Sequence, residues 1–213
     1  MNIEKLAGFF PESDFVSRET WEKLRIYATL VRKWQASINL ISPNTLPDLW
    51  ERHVLDSLQL YRLKPDPVRW LDMGSGAGFP GLVTAICLAE NNQGWVNLVE
   101  SNNKKAAFLR QVIVETGARA SVHPMRIEAA AEKLTDIDVI SARALASLPE
   151  LLNYGSLFSK NDVSLPMWFH KGLDYPEEVR SARDLWGFDL VEHPSLAQDG
   201  SAILEISNLS KRT

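Results

Sequence analysis

The chain has 213 residues, a formal net charge of −4, and 45% apolar against 23% charged side chains. This is a globular composition, which excludes a disordered polyelectrolyte. The acidic balance argues against a general nucleic-acid coat while leaving room for a local basic patch.

A single cysteine, Cys87, excludes an internal disulfide and sits in an apolar run that reads as core. No apolar run approaches the length of a membrane span, about 20 residues. The opening Met1-Asn2-Ile3-Glu4-Lys5 lacks the apolar stretch of a secretory signal, so a cytoplasmic protein is expected.

Residues 1–65 read as an N-terminal helical region. Ser17 is placed to cap a helix with Glu19 in its first turn. Trp21, Leu24, Tyr27, Val31, Trp34 and Ile38 then recur at steps of three and four, the spacing of one apolar helix face. The opposite face carries Lys23, Arg25, Arg32 and Lys33. After a turn at Ile41-Ser42-Pro43-Asn44, a second helix is expected from about Pro47 through Tyr61. Within it, His53 and Asp56 are three apart and share a face, a spacing that suits a polar network between helices better than a catalytic pair.

From residue 66 to 213 strands and helices alternate. Strands are expected at Arg69–Met73, Trp95–Glu100, Ala120–Met125, Ile137–Ser141 and Val163–His170, then an antiparallel pair at Phe188–His193 and Ala202–Ser207. Helices are expected at Pro80–Glu90, Lys104–Thr116 (capped by Ser101 or Asn102 and closed by Gly117), Ile127–Leu134, Leu148–Leu157 and Tyr175–Trp186. Alternation implies an α/β fold with a mostly parallel sheet covered on both faces. Seven strands ending in a hairpin is the layout of class I S-adenosylmethionine (SAM)-dependent methyltransferases.

The first strand runs into Asp72-Met73-Gly74-Ser75-Gly76-Ala77-Gly78-Phe79-Pro80-Gly81. Bare backbone between a buried strand and a helix is where an adenosine-containing ligand is met. Glycines 76, 78 and 81 match the dinucleotide string, and glycines 74, 76 and 78 match the SAM string. Glu100 ends the second strand, where an acid holds ribose hydroxyls in either class. The early start of the loop at Gly74 favours SAM. So does Asp72, whose carboxylate suits a cationic amino-acid head and would repel a pyrophosphate. Bracing of the loop by Asp72 is the equal alternative.

With these residues in view, the chain resembles the ribosomal small-subunit methyltransferase G family, also called glucose-inhibited division protein B. The shared motifs are Lys33-Trp34, Asn39-Leu40, Arg52-His53-Val54-Leu55-Asp56-Ser57, the Asp72–Gly81 loop, Glu100-Ser101, Lys104-Lys105, Phe108-Leu109, Arg126-Ile127-Glu128, Ser141-Ala142-Arg143-Ala144 and Lys171-Gly172. The resemblance implies SAM-dependent methylation of N7 of one guanine, guanine 527 in the 530 loop of 16S rRNA, in the 30S subunit. It implies cofactor contacts from Gly74, Phe79, Ile127, Glu128 and Arg143, besides Asp72, Gly76, Gly78 and Glu100. Arg143 or Lys171 is expected to donate to guanine O6, and Lys104, Lys105, Arg126 and Arg52 to meet RNA phosphates. No metal and no membrane are expected, and the protein is expected to be a monomer. The rival readings are a nucleotide-cofactor oxidoreductase, which lacks a Tyr-x-x-x-Lys pairing after strand four, and a non-catalytic SAM-binding rRNA assembly factor.

Overall fold

The computed structural model describes residues 16–66, 68–159 and 162–212. The N-terminal segment read for a secretory signal lies outside these.

Helix α1 (Arg18–Gln35) starts where Ser17 Oγ accepts a hydrogen bond from the Thr20 amide at 3.1 Å. Leu24, Tyr27 and Val31 of the expected face are buried, joined by Thr20 and Ala28, while Trp21, Trp34 and Ile38 are partly buried against the same core. The chain then takes a 3₁₀ turn (Pro43–Thr45) and a π-helical turn (Trp50–Leu55) that runs directly into α2 (Asp56–Leu63). The sequence predicted one regular helix from Pro47. A π turn widens the helix and rotates side chains out of the 3.6-residue register. His53 and Asp56 consequently serve different partners: His53 Nε2 lies 2.9 Å from Thr45 Oγ1, and Asp56 Oδ1 accepts from Ser195 Oγ at 2.9 Å.

The sheet domain follows as β1 (Arg69–Met73), α3 (Gly81–Leu88), β2 (Trp95–Val99), α4 (Asn103–Thr116), β3 (Ala120–His123), α5 (Ile127–Ala131) and β4 (Val139–Arg143). It continues with α6 (Leu148–Ser156), β5 (Met167–Lys171), α7 (Tyr175–Leu185), β6 (Trp186–Pro194) and β7 (Ala202–Lys211). Strand order is β3-β2-β1-β4-β5-β7-β6. The first five strands are parallel and β7 is antiparallel to both neighbours. Order reverses between β1 and β4, which creates a crevice outside their carboxyl ends.

Several boundaries move for identifiable reasons. β3 stops at His123 because Pro124 has no N–H to donate. β5 begins at Met167, after a turn in which Asp162 Oδ1 accepts from the Ser164 amide. β4 begins at Val139, after Asp138 accepts from the Arg69 amide and guanidinium, and reaches Arg143, which pairs with His170 of β5. The closing hairpin is longer than predicted: Trp186 has extended backbone and pairs with Lys211 across a bulge near Gly187.

Each face of the sheet carries one apolar layer. Trp70, Val96, Leu98, Trp168 and Ile203 pack with α3, α4 and the N-terminal helices. Leu71, Met73, Ile140, Met167, Phe169 and Leu204 pack with α6 and α7. The helices before residue 65 therefore share a core with the sheet. Trp34 and Tyr27 meet Phe108 of α4 at 5.7 and 6.4 Å between ring centroids.

Candidate functional site

β1 delivers the chain into the glycine loop at the crevice. Gly74 and Gly76 adopt φ of +63° and +55°, a region costly for side chains with a Cβ. At Gly74 a Cβ would stand 2.5 Å from Leu145 Cδ1. At Gly76 it would meet only the Gly74 carbonyl, at 3.7 Å, and would project into open space. The loop is fixed from three sides. The Ser75 amide donates to the Val99 carbonyl at 3.0 Å, the Gly76 amide donates to Glu100 Oε2 at 2.9 Å, and Tyr27 Oη of α1 donates to the Ala77 carbonyl at 2.6 Å.

Above the loop lies a cavity of about 800 Å³, within the range of small-molecule sites. Gly74, Gly76, Phe79, Glu100, Ile127, Glu128 and Arg143 all line it, as do Lys105 and Arg126. Glu100 accepts from the Asn102 amide at 2.7 Å through its other oxygen. Each oxygen keeps a lone pair for a ligand hydroxyl. Phe79 forms an apolar wall, with the Tyr27 and His53 rings tilted against it at centroid distances of 5.1 Å each. Burial, reinforced by the nearby Arg143 charge, pushes the His53 pKa down to about 3, so its ring is neutral.

Asp72 sits behind the loop. It is 1% exposed, and Oδ1 accepts from Ser141 Oγ, its register partner on β4, at 2.8 Å. Oδ2 points at the start of α3, 2.6 Å from where a Gly81 Cβ would stand. Burial raises its pKa to about 6. This placement is that of a brace. Gly78 also stands behind the cavity face, where a Cβ would meet Leu82 and Tyr27 Oη.

Arg143 ends β4 and stands between the large cavity and a smaller cleft of about 180 Å³. Its guanidinium is held by the N-terminal region: Nη2 donates to the Arg52 carbonyl, and Nη1 lies 3.3 Å from Asp56 Oδ2. Lys171 lines the cleft with its head tied to neighbours, donating to the Ala146 carbonyl at 3.0 Å and pairing with Glu178 at 2.5 Å. Arg52 also lines the cleft and donates to Gln198 at 2.6 Å. Lys104 is exposed at the start of α4, where Asn102 Oδ1 caps both the Lys104 and Lys105 amides. Arg126 is exposed beside Lys105 on the cavity rim.

Two parts of the site had no assigned role in the sequence. One cavity wall is Asn39 to Thr45, a segment without periodicity that Gln35 pins by accepting from the Leu40 and Ile41 amides. The other is the Ser195–Ser201 loop of the closing hairpin, which walls the small cleft. The Arg52–Ser57 motif was the available signal for the second, since Arg52 and Asp56 hold that loop.

No helix of the described residues is long and apolar enough to cross a membrane, and no group of three His, Cys, Asp or Glu among them is placed to hold a metal.

Residues 20–204 match the model of a family described as rRNA small subunit methyltransferase G. The chain is 57% identical over 199 residues to the ribosomal RNA small subunit methyltransferase G of Rhizobium meliloti, covering 93% of both chains. It is 56% identical over the same length to that of Sinorhizobium fredii, again covering 93% of each. Among solved structures, a putative O-methyltransferase from Klebsiella pneumoniae superposes with a TM-score of 0.57 at 13% identity, covering 87% of this chain and 90% of that one. An MtNAS variant in complex with S-adenosylmethionine superposes at 0.55 with 15% identity, covering 87% and 74%. These likenesses show the class I methyltransferase fold, and the family match over most of the chain decides the rest: the protein belongs to the rRNA small subunit methyltransferase G family.

Proposed function

We propose that this protein transfers a methyl group from SAM to N7 of a single guanine in the 530 loop of 16S rRNA, acting as a single chain on the 30S subunit. Membership of the family makes it a SAM-dependent methyltransferase of small-subunit rRNA. The observation that carries the finer reading is the adjacency of two spaces of unequal size that share Arg143 and Ala144 as a wall.

The large cavity fits SAM. Gly76 leaves open the volume its side chain would fill, Glu100 offers acceptors to ribose hydroxyls, and Phe79 and Ile127 give apolar walls to a purine. When bound, SAM supplies a sulfonium methyl electrophile, and its transfer to a ring nitrogen leaves a neutral thioether and a cationic purine with no proton lost. Guanine N7 carries a free lone pair, so the site needs alignment rather than a general base. The cleft matches that need, because the carboxylate lining it, Asp56, is engaged by Arg143 and Ser195 rather than held as a base. Arg143 donates toward guanine O6, which adenine lacks. Lys171, engaged by Glu178 and Ala146, holds β5 against α7 and the loop before α6. Lys104, Lys105, Arg126 and Arg52 meet phosphates on the rim.

The test is incubation with tritiated SAM and 30S subunits lacking the modification, followed by digestion to nucleosides. One equivalent of labelled 7-methylguanosine per subunit is expected. Label in any other nucleoside, or none despite measurable SAM binding, overturns the reading.

A further inference from the structure

Among the described residues, three other than glycine have a positive φ: Asn92 at +51°, Ala144 at +51° and Asn208 at +53°. Asparagine visits this region at little cost, because its short polar side chain bonds to nearby backbone. Alanine has no such compensation, and its Cβ is crowded against the following carbonyl oxygen. Ala144 is therefore the outlier. It follows directly on β4 and forms part of the wall shared by the large cavity and the small cleft. Packing does not account for it. Ala144 is exposed and belongs to neither apolar layer, so its methyl adds little to the core. Glycine takes this conformation without crowding, and glycine is what the chain uses at the other positive-φ turns facing the large cavity, Gly74 and Gly76.

The turn around Ala144 is tied at three points. Arg143 Nη1 lies 3.3 Å from Asp56 Oδ2, and Nη2 donates to the Arg52 carbonyl. The Leu145 side chain fills the space over Gly74, where a Cβ would stand 2.5 Å from Leu145 Cδ1. The Ala146 carbonyl accepts from Lys171 Nζ at 3.0 Å. Residues 143, 145 and 146 thus reach the N-terminal helices, the glycine loop and β5 in turn. A strained conformation persists only where its surroundings over-determine it, and such strain gathers at working sites. What a Cβ at position 144 adds over glycine is stiffness, because it removes most of the backbone states that glycine would keep. Arg143 and Leu145 are then held in one fixed relation to each other.

We propose that Ala144 is a positioning residue for methyl transfer, a stiff joint that fixes the Arg143 guanidinium relative to the glycine loop. The inference rests on the reading of the large cavity as the SAM site and adds to it the element that keeps the cofactor loop and Arg143 in register. The strain of the turn weakens the fold, while its stiffness serves alignment. Alignment is the quantity on which a transfer without a general base depends. Stability and rate are therefore set against each other at this one position.

The test uses the full chain in two variants, Ala144→Gly and Asn208→Gly. The first relieves the crowding and frees the joint. The second puts glycine at a positive-φ position of β7 that lines neither cavity, and serves as the control. Stability is read as the urea midpoint without SAM, SAM affinity by calorimetry, and transfer in a single turnover with tritiated SAM at saturating SAM and 30S subunits. Ala144→Gly is expected to melt at or above the wild-type urea midpoint. It should keep SAM affinity within about 3-fold and transfer about 10-fold or more slowly, the direction of a misaligned reacting group. Asn208→Gly is expected to transfer at the wild-type rate. Transfer by Ala144→Gly at the wild-type rate overturns the proposal. So does slower transfer accompanied by a lower urea midpoint and weaker SAM binding, the pattern of a residue that serves the fold alone. Equal slowing by Asn208→Gly overturns it too, since any added glycine would then act. Failure of the wild-type enzyme itself to bind SAM or to label 30S subunits is a different result, which removes the reading on which this one stands.

Discussion

The floor of the large cavity and the walls around the small cleft are built in opposite ways. The floor is local. Gly74, Gly76 and Glu100 lie at the ends of two neighbouring strands, and their conformations follow from residue type and the strand-to-helix turn. The cleft is non-local: Asp56 meets Ser195 across 139 residues, Arg52 meets Arg143 across 91, and His170 meets Asp56 across 114. In the proposed function the first region holds a common cofactor and can be generic, while the second, which faces the RNA, draws its groups from the N-terminal helices, the sheet and the closing hairpin.

The sharpest way to break this contrast is at Gly76. Its Cβ position is open and its φ is positive, so Gly76→Val both strains the loop, by about 1–2 kcal/mol, and fills the cavity. SAM affinity is expected to fall by about 100-fold or more, which is about 2.7 kcal/mol, with the fold intact by circular dichroism. Retained affinity would mean that the cofactor lies elsewhere.

Asp72 separates bracing from binding through pH. Its carboxyl titrates at about 6 when folded against 3.8 for the ordinary group. A raised acid contributes stability that is fully present below the unfolded value and lost as pH rises through the folded one. That difference is worth about 3 kcal/mol. Urea melts at pH 4 and pH 7 should show wild type losing about 2 kcal/mol of this relative to Asp72→Asn, since pH 4 already lies just above the unfolded value. The depressed histidines, His53 among them, act in the opposite sense but cancel between the two chains. An identical pH response in both chains would remove the buried-acid account.

Tyr27 joins the two regions, since it reaches from α1 to the glycine loop. Tyr27→Phe leaves the Ala77 carbonyl without its donor and should cost about 1–3 kcal/mol in stability. SAM affinity should weaken several-fold through the loosened loop. Unchanged affinity would show that the Tyr27–Ala77 hydrogen bond supports the fold and not the cofactor site.

The smallest effect is expected at the rim. Replacing Lys104, Lys105 and Arg126 together by Ala should lower the slope of log affinity for 30S subunits against log salt by about one for each phosphate no longer neutralised. An unchanged slope would exclude all three.

Legibility in the sequence follows the same divide. The alternation of strands and helices with its closing hairpin, the Ser17 cap, a cap at Ser101 or Asn102, and the place of Glu100 at the end of β2 were readable because each depends on residues close in sequence or on a fixed periodicity. The π turn at Trp50–Leu55 was not, because an apolar pattern compatible with an ordinary helix also accommodates one wide turn. For Asp72 the sequence left holding the cofactor and bracing the loop as equal alternatives, since the partner that decides between them, Ser141, is known only from β1–β4 register. His170 gave no signal at all: a histidine inside an apolar strand gains meaning only from the Asp56 carbonyl beside it.

Arg143 is the group both regions share, and one measurement on it tests the account most directly. In a single-turnover assay with tritiated SAM and unmodified 30S subunits, Arg143→Ala should transfer methyl at least about 100-fold more slowly than wild type, even with SAM raised to saturation. Transfer by Arg143→Ala at the wild-type rate, with SAM affinity unchanged, would contradict it.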